Sequence, residues 1–208
     1  VQKARELTGI LAEADARERA KHEKEIADHV ARQKNERESA LRKASALLLA
    51  QFDSAAADDS DPQGRGYLLQ DLLNRAFDLH GIPPTKAFLR NDGGEQIDAA
   101  FEMDGWYYIV ECRWRKKLAD IRELDGLLGQ IGRSGRQTMG LFLSIQGWSE
   151  HVVPLLRQNK DKSVILMEGF DLRTVLAQSF DLKVLLRAKI KALNLDAEPY
   201  FPISKITN

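Results

Sequence analysis

The sequence predicts an α/β protein: a mixed β-sheet flanked by helices, preceded by a long charged N-terminal helix. Three observations lead there. Residues 6–50 contain no proline and are crowded with Ala, Glu, Lys and Arg, all good helix formers. Beyond Gly66, amphipathic helical stretches and short apolar runs follow in the order helix, strands, helix, strand, helix, strand, helix, which builds a helix-covered sheet. Asp104-Gly105 lies between two apolar, aromatic and β-branched runs and marks a tight hairpin, so part of the sheet is antiparallel.

Residues 1–52 read as a helical arm. Its apolar content is thin: Leu7, Ile10, Leu11, Ile26, Val30, Leu41 and Leu47 to Leu49. Ile26 and Val30 share one helical face, as do Leu41, Ala44 and Leu48, yet no heptad persists. The plain reading is a solvated helix; the sharper one is a coiled-coil arm for homodimerisation or for docking a partner. Residues 53–66 read as a linker, because small and acidic residues break the pattern. Residues 67–208 form the packed domain. Within it, Tyr67–His80 is an amphipathic helix stopped by Gly81, Pro83 and Pro84. Lys86–Arg90, Gln96–Glu102 and Trp106–Trp114 are strands. Helix Ile121–Ile131 precedes a basic loop, Gly132–Arg136, and strand Thr138–Ile145. Ser149–Gln158 is helical, Val164–Glu168 a buried-type strand, Leu172–Gln178 a helix capped by Asp171, and Leu182–Leu193 a last helix.

Bulk properties narrow the function classes. With 208 residues the chain holds one core plus an appendage. Apolar residues make up 43% and charged residues 30%, a globular balance. The formal net charge is zero, so nucleic-acid binding must come from a local patch, not from a global polycation. Cys112 is the single cysteine, which rules out an internal disulfide and suits the cytoplasm. No apolar run has the length of a membrane span, so no membrane partner is expected. His22, His29, His80 and His151 are scattered without ligand spacing, and Ser134 and Ser144 have no neighbouring base motif.

The hairpin carries the chemistry. With Asp104 and Gly105 as its two loop residues, Met103 faces Trp106, Phe101 faces Tyr108, Ala99 faces Val110 and Asp98 faces Glu111. Side chains alternate, so Arg113 shares the face of Asp98 and Glu111. Carboxylates paired across a ladder repel unless compensated. A hard divalent cation such as Mg²⁺ is one compensation; an ion pair with Arg113 or Arg115 is the competing one. A slip of one residue would send the acids to opposite faces. Tyr108 and Trp114 are expected to pack in the core.

These residues resemble the PD-(D/E)xK nucleases, in which an Asp, a hairpin and Glu-x-Lys form the signature. Gly94-Glu-Gln-Ile-Asp-Ala-Ala-Phe101 and Tyr108-Ile-Val-Glu-Cys-Arg-Trp114 look like the Mrr-type restriction-endonuclease branch, as do Gly140–Glu150 and Ile165–Leu172. The similarity covers roughly residues 64–202. It implies a restriction-endonuclease-like core and a metal-dependent endonuclease hydrolysing DNA, in restriction or defence, with a larger defence system as partner. Asp98, Glu111 and the Cys112 backbone carbonyl would hold Mg²⁺ or Mn²⁺. Gln130 would support the site. Many relatives add a Glu from the first helix, where this chain offers Gln70 or Asp71.

Arg113 stands where the motif has lysine. Arginine stays protonated and cannot be a general base, though it can hold a phosphate oxygen. Lys117 shares its strand parity and is a stand-in, and metal-bound water needs no lysine. Arg115, Lys116, Lys117, Arg133 and Arg136 are the expected nucleic-acid contacts. The second reading is a catalytically inactive nuclease fold that binds nucleic acid or a partner protein, with the arm mediating assembly.

Overall fold

The computed structural model describes residues 2–58, 60–90 and 95–206, with the side chains of 2–16, 20, 86–88, 90 and 95 left out. Residues 1–43 form one compact unit and 44–208 another. Helix α1 (Gln2–Ala57) spans the first unit and enters the second. In the first unit the described side chains are exposed up to residue 40, Ile26 and Val30 included, as the thin apolar pattern requires. Leu7, Ile10 and Leu11 lie outside the described side chains.

The stretch expected to be a linker is mostly helix. Helix α1 runs to Ala57 and α2 (Pro62–Leu79) begins five residues later. Ala55, Ala56 and Ala57 have the strongest intrinsic helix preference and extend α1 past Asp53, up to Asp58. Asp61 then caps α2: its side chain accepts from Gly64 N–H at 2.8 Å, with Pro62 at the first helical position. Leu48 and Phe52, expected in the arm or its edge, are buried in the core of the second unit.

The sheet contains β1 (Pro84–Arg90), β2 (Glu95–Met103), β3 (Trp106–Arg113), β4 (Thr138–Ser144) and β5 (Val164–Glu168), in that spatial order. The first three strands are antiparallel, whereas β3, β4 and β5 are parallel. Crossover helices α3 (Ile121–Gly132) and α4 (Val152–Gln158) join the parallel strands. Helices α5 (Gly169–Leu176) and α6 (Leu182–Asp196) complete the unit, followed by a 3₁₀ turn at Ile203–Lys205. The predicted mixed, helix-flanked sheet is the observed one. Helix α5 starts at Gly169 rather than after Asp171, and Asp171 is wholly buried. No helix among the described residues is long and apolar enough to cross a membrane.

Strand alternation sorts the core into two layers. Tyr108, Val110, Cys112 and Trp114 join Leu141, Leu143, Ile165 and Met167 under α2, α5, α6 and the end of α1. Ile109, Phe142, Val164 and Leu166 pack with α3 and α4. Gly140 lets α3 sit close to the sheet, since a Cβ there would come within 2.7 Å of Ile131. Tyr108 and Trp114 are core residues as expected, stacked on Phe101 and Phe52 at 4.7 and 5.0 Å. Glu111 and Arg113 share the parity of Ile109, so the site belongs to the face covered by α3.

Candidate functional site

The turn has the geometry its two residues demand. Asp104 and Gly105 both take positive φ, 55° and 80°, which makes a tight reversal whose twist suits a hairpin. Pairing runs Met103↔Trp106, Phe101↔Tyr108 and Ala99↔Val110, the expected register. The ladder ends there. The next residue, Asp98, uses its side chain instead: Oδ2 accepts the Cys112 backbone N–H at 3.1 Å. Asp98 and Glu111 are 8% and 7% exposed, so two acids are buried at the point where β2 leaves β3.

A guanidinium sits among the groups expected to hold a metal. Arg113 reaches Asp98 Oδ2 through Nη1 at 3.6 Å and pairs with Glu111 Oε1 through Nη2. Its Nη1 also donates to the Cys112 carbonyl at 2.8 Å. All three expected ligands therefore face one permanent cation. A third carboxylate, Glu123, accepts from Arg113 Nε at 3.2 Å and pairs with Arg115 at 2.9 Å. Among the described residues no cluster of three or more His, Cys, Asp or Glu side chains is arranged to hold a metal ion. A divalent cation does not fit this arrangement, because Arg113 already engages each donor it would need.

Glu123 was not legible as a site residue. Its sequence signal, Asp120-x-x-Glu123, is that of a capping box. The structure contains that box: Asp120 accepts from the Arg122 and Glu123 N–H groups, and Glu123 Oε2 accepts from Asp120 N–H at 3.1 Å. The same carboxylate turns its other oxygen to the arginines. What brings it there is the loop after β3, pinned by Ala119 N–H to the Gly147 carbonyl and Ser149 N–H to the Ala119 carbonyl. The first-helix candidate, Asp71, instead pairs with Arg75 on the same helix.

Three carboxylates meet two guanidiniums, and the most buried acid, Glu111, is the one that most readily takes up a proton. Burial pushes Glu111 up to about 7; Arg113 and Arg115 pull it down, while Asp98 and Glu123 push it up. Burial also raises Asp98, against the Cys112 N–H and Arg113, which lower it. The Cys112 thiol is driven well up by burial and is a packing group.

The other expected residues are dispersed. Gln130 donates to the Gln96 carbonyl at 3.0 Å and ties α3 to the start of β2. Gly94 of the resemblance motif lies outside the described residues. Arg115, Lys116 and Lys117 are exposed beyond the carboxyl end of β3. Arg133 and Arg136 are exposed beyond the far end of α3, before β4, so the basic residues form two groups at opposite ends of the sheet rather than one patch.

No family model and no curated protein matches the sequence. Solved structures do. The small subunit of the heterodimeric restriction endonuclease R.BspD6I matches with TM-score 0.50 at 18% identity, over 73% of this chain and 90% of that one. The likeness to this restriction-endonuclease subunit is one of fold. The DNA modification-dependent restriction endonuclease AspBHI matches with TM-score 0.43 at 13% identity, over 74% of this chain and 40% of that one. A protein of unknown function, AF1548, matches with TM-score 0.36 at 19% identity, over 40% of this chain and 49% of that one. The present chain thus spans less than half the length of these last two.

Proposed function

We propose that the chain is a nuclease-fold module whose acidic site is closed by Arg113 and which binds DNA without cutting it. The observation that carries this reading is the guanidinium of Arg113 against Asp98, Glu111 and the Cys112 carbonyl. A tethered cation already neutralises what a metal would neutralise, and an arginine cannot take up a proton as a lysine at this position could. The fold shared with a restriction-endonuclease subunit supports nucleic acid as the partner, and Arg115, Lys116 and Lys117 offer it positive charge. Membership of the Mrr-type branch, a role in restriction or defence, and assembly through the N-terminal helix belong to the same proposal.

The test is plasmid cleavage with Mg²⁺ or Mn²⁺ beside duplex binding over a salt series. The expected result is no cleavage above the Asp98→Ala background, with salt-dependent binding weakened by Lys117→Ala. Arg113→Lys, which frees a smaller ammonium and reopens the donors, is expected to gain metal-dependent nicking. Cleavage by the parent that Asp98→Ala abolishes would overturn the proposal. The metal-dependent endonuclease reading would then stand, with Asp98, Glu111 and the Cys112 carbonyl as ligands and Gln130 in support.

A further inference from the structure

The carboxyl ends of the three parallel strands open onto a cleft that shares only Arg115 with the acidic site. Trp114, Arg115 and Lys116 follow β3, Ile145 and Gln146 follow β4, and Gly169 and Phe170 follow β5. This is the edge of an open α/β sheet where ligands generally bind. The cavity measures about 520 Å³, within the range of small-molecule sites.

Its walls have a definite chemistry. Arg65 from α2, Arg115, Lys116 and Arg173 from α5 line it, and no carboxylate among the described residues does. Arg65 is only 8% exposed, so its charge is held in the wall instead of in open solvent. The carboxylates nearest in the network stand behind the cations: Asp53 grips Arg173 at 2.9 Å through both oxygens, and Glu123 holds Arg115. These contacts orient the two guanidiniums. Apolar surface comes from Trp114, stacked on Phe52, and from Phe170, which is 62% exposed and large enough to cover a planar ring.

We infer that this cleft binds a nucleotide unit, its phosphate held by Lys116, Arg115 and Arg173 and its base laid against Phe170. These cations, from the segment after β3 and from α5, line one cleft as phosphate recognition requires, and an exposed aromatic ring beside them supplies the platform that an unstacked base needs. The ligand is either a free nucleotide or the terminal nucleotide of a strand. The inference deepens the nucleic-acid reading above and rests on it only for the choice of base over another planar ring. Arg115 belongs both to the cleft and to the Glu123 network, so a phosphate bound here competes with Glu123 for the same guanidinium.

The experiment is titration of the full chain, followed by calorimetry and by tryptophan fluorescence, because Trp114 lines the cleft. The probes are adenosine 5′-monophosphate, adenosine, inorganic phosphate, and a short single strand with either a 5′-phosphate or a 5′-hydroxyl. Adenosine monophosphate is expected to bind more tightly than adenosine or phosphate alone. Phe170→Ala and Arg173→Ala are each expected to weaken it about tenfold while duplex binding persists. A preference for the 5′-phosphorylated strand over the free nucleotide identifies a strand end as the source; the reverse order identifies the nucleotide. Absence of binding by every probe, or binding that both substitutions leave unchanged, overturns the inference. Loss of duplex binding in Lys117→Ala alone speaks only to the module's DNA reading, since Lys117 does not line the cleft.

Discussion

Two buried charge clusters in the same domain are built to different standards. Asp171 and Lys189 are wholly buried and pair one to one at 2.7 Å. Further bonds support the pair: Lys189 also donates to the Phe201 carbonyl at 2.7 Å, and Asp171 accepts the Ile203 and Glu168 N–H groups. Around Asp98 and Glu111, three carboxylates share two guanidiniums, and Arg113 keeps 27% of its side chain exposed. The first cluster fastens the segment after α6 to α5. The second is under-neutralised and reaches solvent. A fold gains nothing in rigidity from gathering acids beyond the cations at hand, so the imbalance sets the proposed site apart from the first cluster, which is a structural clamp.

The comparison is most easily broken at the clamp. Lys189→Met leaves Asp171 charged and buried, and is expected to cost about 3–5 kcal/mol in a urea or guanidinium unfolding midpoint. A loss under about 1 kcal/mol would mean water or another cation reaches Asp171. Arg113→Met is expected to cost less, about 1–3 kcal/mol near pH 8, because the cluster is partly exposed. That loss should shrink near pH 5, where the abandoned carboxylates take up protons. A loss equal at both values would show that Arg113 acts by packing alone.

A third prediction sharpens the imbalance itself. Burial pushes Glu111 up to about 7 in the folded chain, against the ordinary carboxylate value of 4.5 when unfolded. Between those values the folded chain holds the proton and the unfolded chain has released it. Each step up in pH therefore favours unfolding, and the contribution present below the lower value is gone above the higher one. Glu111→Gln should remove that slope and leave the variant more stable than the parent above neutrality, as read from paired pH–stability curves. The smallest effect is expected at the rim of the clamp. Tyr200→Phe loses the hydroxyl bond to Glu168 at 2.9 Å and should cost about 1 kcal/mol in thermal unfolding.

Local rules made much of this molecule readable. Asp104-Gly105 needs two positive-φ positions, so the turn type follows from those two residues, and the period of two then sets the register through Ala99↔Val110. Asp98 and Glu111 on the α3 face, and Tyr108 and Trp114 on the other, are consequences of that count. The competing ion-pair reading of the hairpin was legible for the same reason, since Arg113 shares the parity of Glu111. Apolar periodicity marked every strand and the later helices, because burial on one face leaves a repeating trace in the sequence.

What the sequence determined by itself was the set of elements, the hairpin register and the meeting of two acids, all of which depend on neighbours in the chain. Tertiary structure alone decided the rest. Glu123 joins the site because the loop after β3 is pinned beside the β4–α4 loop, and the two basic groups part because a helix separates them. The clamp joins Asp171 to Lys189 from successive helices, and the cleft at the strand ends gathers residues from Phe52 to Arg173. Such contacts carry no periodic signature: they follow from how layers stack, and only the folded chain brings those charges within reach of one another.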